Sequence, residues 1–339
     1  MGRRNPSDRS GVGPDFVIHF CTYFDRNYLT RGVALHQSLV RHSPEFTLWA
    51  LCLDDEAYRA VSALELASLR PVRLVDVERA DQQLTDAKLN RSTVEYYFTL
   101  SPVLPLYLLG HVPGIDSITY LDSDLLFYSS PLPIFKELAS GSVVITPHRY
   151  APHLRSLSIH GTYNVAMLAF RNDREGLAVL GRWREQCLEW CYDRVEDGKF
   201  ADQGYLDSWP GLPGVRVLEH PGVDLAPWNF MQYEIDVKAD PPTVDGWPLV
   251  FYHFQGFKAV GPGLWDPGLD AYGHMSPLLI SWLYGGYLRE LRVASRMVRS
   301  GSPSIPRSST IRRSPYGWRH AVRRLLNGQI IVAPRSFRL

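Results

Sequence analysis

The stretch Ile118-Thr119-Tyr120-Leu121-Asp122-Ser123-Asp124-Leu125-Leu126-Phe127 decides how this chain is read. It is an apolar, β-rich run interrupted by two carboxylates two residues apart. Successive strand side chains point to opposite faces, so residues i and i+2 share one. Asp122 and Asp124 are therefore expected to project together where the strand runs out. Two anionic oxygens that close repel each other and invite a divalent cation. A cation only partly neutralised by the protein suits a diphosphate. An Asp-x-Asp alone arises often by chance, and Asp frequently ends strands. Its weight comes from its place, since ligands of open parallel sheets bind beyond the carboxyl ends of the strands.

Working outward, strand signals stand at 16–21, 46–53 and 72–77, with helical spacing at 29–41 and 57–69. Residues 94–109 read as a helix that Pro102 and Pro105 must break or kink. Later strands are expected at 142–146, 165–170 and 249–253, with helices at 175–192 and 274–299. Strands alternating with helices predict a mainly parallel, doubly wound α/β sheet with helices on both faces. No internal repeat is visible.

The formal net charge of +1 hides an asymmetry. After Glu290 there is no acidic residue but eleven arginines, from Arg292 to Arg338, so the remaining 25 basic residues face all 35 acidic ones. This is an acidic body with a basic tail. Arg289, Arg292, Arg296 and Arg299 recur at helical steps, a spacing that gathers them on one helix face. The tail reads either as solvated chain or as a segment attracted to anionic lipid. Nucleic acid is disfavoured, because no nucleic-acid-binding motif accompanies the charge. Cys21, Cys52, Cys187 and Cys191 are too few for a disulfide framework in 339 residues, and read as buried thiols. The polar start predicts a disordered segment over 1–14 without a secretory leader, and no apolar run is long enough to span a membrane. A cytoplasmic protein, peripheral at the inner membrane face, is the expectation.

Other chemistry-bearing clusters follow the Asp pair. His253-Phe254-Gln255-Gly256-Phe257-Lys258 combines a metal-ligating residue type, a glycine permitting close approach and a point charge suited to phosphate. Phe200-Ala201-Asp202-Gln203-Gly204 offers a carboxylate and an amide together, although an Asp there also reads as a helix cap. Tyr163-Asn164-Val165 starts a strand with an Asn, and Pro227-Trp228-Asn229 is a Trp/Asn loop that packs either a domain edge or a sugar face.

Together these clusters resemble a GT-A-fold glycosyltransferase and are similar to glycosyltransferase family 8. The apolar strand into Asp122-Ser123-Asp124, the strand-initial Asn164, the pair Asp202-Gln203 and the closing His253…Gly256…Lys258 occur in that family's order over about residues 16–260. The last spacing is one residue short of the family's, Gly204 replaces an acidic residue, and the arginine expected before the Asp pair is absent, with Arg91 in the preceding loop as its substitute. The resemblance implies a GT-A domain over 15–273 and a C-terminal helix and Arg-rich tail over 274–339. It implies manganese or magnesium held by Asp122, Asp124 and His253. It places Thr22, Tyr23 and Tyr28 near base and ribose, and Arg91, Ser123, Gly256 and Lys258 with the nucleotide-sugar donor, UDP being favoured. Asn164, Asp202 and Gln203 would bind the donor sugar, Asp202 and Gln203 being the catalytic pair. The acceptor would be a glycan, a lipid-linked or a small-molecule hydroxyl, glycosylated with retention. A catalytically inactive sugar-nucleotide-binding or scaffold protein is the alternative. A phosphatase of the haloacid-dehalogenase type is disfavoured because Leu126 stands where its motif wants Thr or Val, and a dinucleotide oxidoreductase because Gly11-Val12-Gly13 precedes the first strand.

Overall fold

The computed structural model describes residues 17–261, 263–301 and 330–332. The expectation for 1–14, and that for most of the Arg-rich tail, lie outside the described residues. The chain opens with β1 (Ile18–Phe24), α1 (Leu29–His42), β2 (Phe46–Cys52), α2 (Asp55–Ala63) and β3 (Leu69–Arg73). Three helices, α3 (Leu74–Ala80), α4 (Gln82–Lys88) and α5 (Thr93–His111), lead to β4 (Ser117–Leu121) and the short β5 (Leu125–Phe127). Next come α6 (Leu132–Leu138), β6 (Val143–Pro147), β7 (Tyr163–Arg171), α7 (Arg174–Glu189) and β8 (Val215–Val217). β9 (Ile235–Asp236), β10 (Thr243–Val244) and β11 (Trp247–Pro248) form a small side sheet. β12 (Phe251–His253), β13 (Lys258–Gly261), β14 (Leu264–Asp266), α8 (Pro277–Gly301) and β15 (Ile331–Val332) complete the described chain.

The main sheet has the order β3-β2-β1-β4-β7-β6-β8. β1 to β4 run parallel, and β7 alone runs against both its neighbours. Alternation along β1 feeds two cores. Phe20 faces α1, α2, α6 and α8, whereas Cys21 faces α4, α5 and α7. Trp183 and Trp209 meet edge to face in the second core, and both are fully buried. All four cysteines are buried thiols.

Three local expectations are corrected. α2 stops at Ala63, where Glu65 takes a left-handed φ of 47°, and Leu69 already belongs to β3. The stretch 74–77, expected as the end of a strand, is helical. The neighbouring β2 ends at Cys52, opposite Arg73, so residues 74–77 have no strand to pair with, and a helix buries Val77 while leaving Val75 exposed. Pro102 and Pro105 do not break α5, which is one helix. A capping box at Ser92 and Glu95 starts it, and burial of Leu100, Val103, Leu104 and Leu108 outweighs the two lost backbone bonds.

The pairing that builds the site lies outside the main sheet. β5 pairs antiparallel with β12, in a register that sets Leu125 opposite His253. The Phe254 N–H donates to the Asp124 carbonyl at 3.0 Å, and the His253 N–H to the Leu225 carbonyl at 2.8 Å. Among the described residues no helix is long and apolar enough to cross a membrane.

Candidate metal and nucleotide-sugar site

Asp122, Ser123 and Asp124 form the turn between β4 and β5, at the carboxyl end of a central strand. Asp122 is fixed from two sides: its N–H donates to the Ala166 carbonyl at 2.9 Å, and its carboxylate accepts the Tyr120 hydroxyl at 2.8 Å. The β5–β12 register then brings in His253. One ligand atom from each of Asp122, Asp124 and His253 lies within 4.8 Å of the others. His253 Nε2 is 3.3 Å from Asp124 Oδ1 and 3.7 Å from Asp122 Oδ2.

These residues fit a divalent cation. Both His253 ring nitrogens are buried without a hydrogen-bond partner, and two carboxylates and one imidazole form a donor set for a divalent cation. The electrostatics agree. Burial pushes the Asp122 carboxyl up to about 6, with repulsion from Asp124 and Asp224 adding to it and His253 opposing it. Burial works the same way on Asp124, but His253 and the Arg31 guanidinium outweigh it and hold that carboxyl below its usual range. Burial would lower His253, yet Asp124, Asp224 and Asp122 raise it to about 10. Such crowding of unlike pKa values around one point marks a functional-site candidate.

Beside this centre lies a cavity of about 480 Å³. Asp122, His253, Tyr23, Asn164, Asp202, Gln203, Gln255 and an aromatic wall of His148, Tyr150, Trp228 and Tyr272 line it. Asp202 is buried at 5% exposure, and burial pushes its carboxyl up to about 7, with a contribution from the Asp122 charge and against a bond from Ser101. Its backbone carbonyl accepts the Trp183 indole N–H at 2.8 Å, which ties it to the second core. Gln203 donates its amide to the His160 carbonyl at 2.8 Å. Asn164 is engaged at both ends: it accepts the Ala166 N–H at 3.1 Å and donates to Asp224 at 2.8 Å.

Of the remaining sequence-derived residues, Tyr23 lines the cavity, whereas Thr22, Tyr28, Arg91, Ser123, Gly256 and Lys258 are not among its lining residues. Ser123 is buried between the two carboxylates, and Thr22 is fully buried in β1 with its hydroxyl unpartnered. The Tyr23 hydroxyl bonds Ser101 at 3.2 Å. Tyr28 caps α1, with its ring 4.0 Å below the Arg31 guanidinium. Gly256 turns with φ 75° against Gly268, and Lys258 Nζ lies 3.9 Å from Asp266. Arg91 donates to the Leu188 carbonyl at the end of α7 and stacks on Tyr192, and it does not line the cavity. The arginine whose charge reaches Asp124 is Arg31, buried in α1 and donating to the Phe257 carbonyl at 2.5 Å. Arg31 and Asp224 escaped the sequence reading. Neither belongs to a motif, although Asp224 stands three residues before the Pro227-Trp228-Asn229 loop already singled out.

Comparison with known proteins extends this picture. No family model matches the chain. The Bacillus subtilis (strain 168) protein YfnF, described as uncharacterized, is 33% identical over 250 residues, which is 71% of this chain and 82% of YfnF. YfnD of the same organism, also described as uncharacterized, is 31% identical over 248 residues, 72% of this chain and 79% of YfnD. Among solved structures, the galactosyltransferase LgtC in complex with donor and acceptor sugar analogues superposes with a TM-score of 0.50 at 15% identity, over 89% of this chain and 99% of LgtC. At that identity the likeness speaks for the fold, which is the GT-A glycosyltransferase fold. The extent and identity of the sequence matches carry the closer relationship: the chain belongs to the family of Bacillus subtilis YfnF and YfnD.

Proposed function

We propose that this protein is a metal-dependent glycosyltransferase, similar to family 8, that moves a sugar from a nucleotide diphosphate sugar to a hydroxyl acceptor. The observation that supports the reading is the convergence of Asp122, Asp124 and His253 beside a cavity that also holds Asp202, Gln203 and Asn164. Asp122, Asp124 and His253 would hold a manganese or magnesium ion, which would supply Lewis acidity to the departing nucleoside diphosphate. UDP is the favoured nucleotide. Thr22, Tyr23 and Tyr28 stand for base and ribose, Ser123, Gly256 and Lys258 for the phosphates, and Asn164, Asp202 and Gln203 for the sugar.

Besides the metal set, the cavity lining carries Asp202, whose protonated form burial favours, and the exposed Asp193 in the loop after α7. Retention is what the resemblance to family 8 implies, and with the Asp202 carboxyl held protonated by burial it would run by front-face attack and not through a covalent carboxylate intermediate. The glycosidic bond to the diphosphate breaks, the acceptor oxygen bonds the anomeric carbon from the same side, and a departing phosphate oxygen takes the acceptor's proton. Gln203, its amide nitrogen bonded to the His160 carbonyl, would sit beside that carbon with its amide oxygen free among the described residues. The acceptor is a glycan, a lipid-linked or a small-molecule hydroxyl. The Arg-rich tail adds attraction to an anionic membrane surface, about 1 kcal/mol per residue near the surface. Salt-sensitive sedimentation of the full chain with phosphatidylserine vesicles tests that part, and absence of co-sedimentation at low salt overturns it.

The central test is release of nucleoside diphosphate from a panel of nucleotide sugars with manganese. Slow turnover abolished by Asp124→Ala supports the reading. Turnover that survives both Asp122→Ala and Asp124→Ala refutes the metal site, and complete inactivity with retained ligand binding favours the non-catalytic binder.

A further inference from the structure

Asp224 lies on the far side of His253 from the Asp pair, and the metal set does not account for it. It is 1% exposed, in the loop between β8 and β9. A carboxylate so buried is costly unless a partner answers it. Its Oδ2 accepts the Asn164 amide at 2.8 Å. Its Oδ1 has no hydrogen-bond partner, and 3.7 Å away lies His253 Nδ1, also without one. Two orphaned buried atoms of opposite character therefore face each other across less than an ångström of excess distance.

The loop is built to hold Asp224 there. Asp224 takes a left-handed φ of 59°, a conformation that a non-glycine residue keeps only when its surroundings enforce it. The enforcement comes from Asn229, which is fully buried: its amide donates to the Asp224 carbonyl at 2.9 Å and to the His148 carbonyl at 3.0 Å, while its oxygen accepts the Ala226 N–H. Trp228 presents its ring edge-on to His253, with centroids 5.3 Å apart, and closes that side. The imidazole is thus held between Asp224 behind and the Asp pair in front.

We propose that Asp224 is the positioning residue of the metal centre, with Asn164 as its support. Asp224 accepts the Nδ1 proton of His253, which fixes the ring orientation and leaves the Nε2 lone pair for a cation shared with Asp122 and Asp124. Outer carboxylates of this kind set the tautomer and basicity of a ligating histidine. Asn164 then serves the site through Asp224, whatever its remaining polar capacity does for a sugar. This inference rests on the metal reading of the site given above.

The test uses the full chain, freed of metal and titrated with Mn²⁺ alone by water-proton relaxation. Asp224→Asn keeps the shape but not the chemistry. Asn164 still donates to the new amide's oxygen, so the amide NH₂ faces His253 Nδ1 and imposes the wrong tautomer. Affinity for Mn²⁺ is expected to fall about 10- to 100-fold. ¹⁵N-histidine spectra of the magnesium-loaded protein, with the His253 signal assigned by its loss in His253→Gln, are expected to show the proton on Nδ1 in the wild type and its displacement in Asp224→Asn. A residue that only supported the fold would lower stability without moving that proton. Equal Mn²⁺ affinity in wild type and variant overturns the proposal alone, whereas a wild type that takes up no Mn²⁺ overturns the metal reading beneath it. If Asp224→Asn does not fold, the wild-type spectrum decides: a proton on Nδ1 supports the proposal and a bare Nδ1 refutes it.

Discussion

Replacing Asp202 by Asn should make the ligand-free protein more stable while damaging its site. Burial raises this carboxyl from an ordinary 3.8 to about 7, so the folded state holds the proton to higher pH than the unfolded state does. The sign follows from linkage. Below about pH 4 both states are protonated and Asp202 costs nothing. The cost grows as the pH rises from there to about 7, where the folded-state carboxyl finally ionises, and is constant above. Three units at 1.36 kcal/mol each set a ceiling of about 4 kcal/mol. The variant amide keeps its bond to Ser101 and carries no charge, so Asp202→Asn recovers up to that amount at pH 8 and almost nothing at pH 4. At this chain length the gain corresponds to a rise in Tm on the order of 10 °C at most. The assay is thermal unfolding of wild type and variant at pH 4.5, 6 and 8 without metal, beside nucleotide-sugar binding at pH 8. A Tm difference that grows with pH together with weakened binding supports the reasoning. A pH-independent difference, or one that shrinks with pH, would show that the carboxylate is not destabilised by burial and refute it.

Other consequences are simpler. His253 is held protonated to about 10 by its three carboxylates, so its ion pairing stabilises the metal-free protein fully below about pH 6.5 and fades as the pH climbs toward 10; a cation must displace that proton, so the stabilisation produced by a fixed Mn²⁺ concentration should grow between pH 6.5 and 8. A shift in Tm that is flat or falls over that range argues against His253 as a ligand. Arg31→Ala removes a buried charged donor from the Phe257 carbonyl and a cation from Asp124, and should cost about 2 kcal/mol in urea unfolding; a loss under about 0.5 kcal/mol means solvent already satisfies that carbonyl. Trp183→Phe keeps the edge-to-face aromatic contact with Trp209 but drops the indole bond to the Asp202 carbonyl, so stability should fall by about 1 to 3 kcal/mol with weakened nucleotide-sugar binding, and unchanged binding would separate the core from the site.

Much of this architecture is legible in the residue order. The Asp pair, Asp202-Gln203 and His253 each stand at the end of an apolar run or in a turn, and the alternation of 2-residue and 3.6-residue periods predicts the parallel sheet that β1 to β4 form. The misread elements share a cause. The run 74–77 has strand propensity, but it lies past the end of its partner strand β2, and a helix buries Val77 there instead. α5 survives two prolines because its burial outweighs local preference. Arg91 looked like the missing cation because it precedes the motif in sequence, yet it is occupied at the end of α7, and the charge near Asp124 comes from α1.

The amino-acid sequence by itself determined which chemistry is present: two carboxylates on a strand end, a histidine beyond another strand, and an adjacent carboxylate and amide at Asp202-Gln203. Local side-chain periodicity and hydrogen-bonding capacity are properties of neighbouring residues, so they can be read in order. Only the tertiary structure decided that Asp122, Asp124 and His253 share one point. That depends on the β5–β12 register, and strands of three residues carry too little periodic signal to announce their partner. It also decided that Asp224 stands behind His253. No local pattern ties residue 224 to 253 or 164, because the tie is a buried contact that exists only once distant loops have been packed against the sheet.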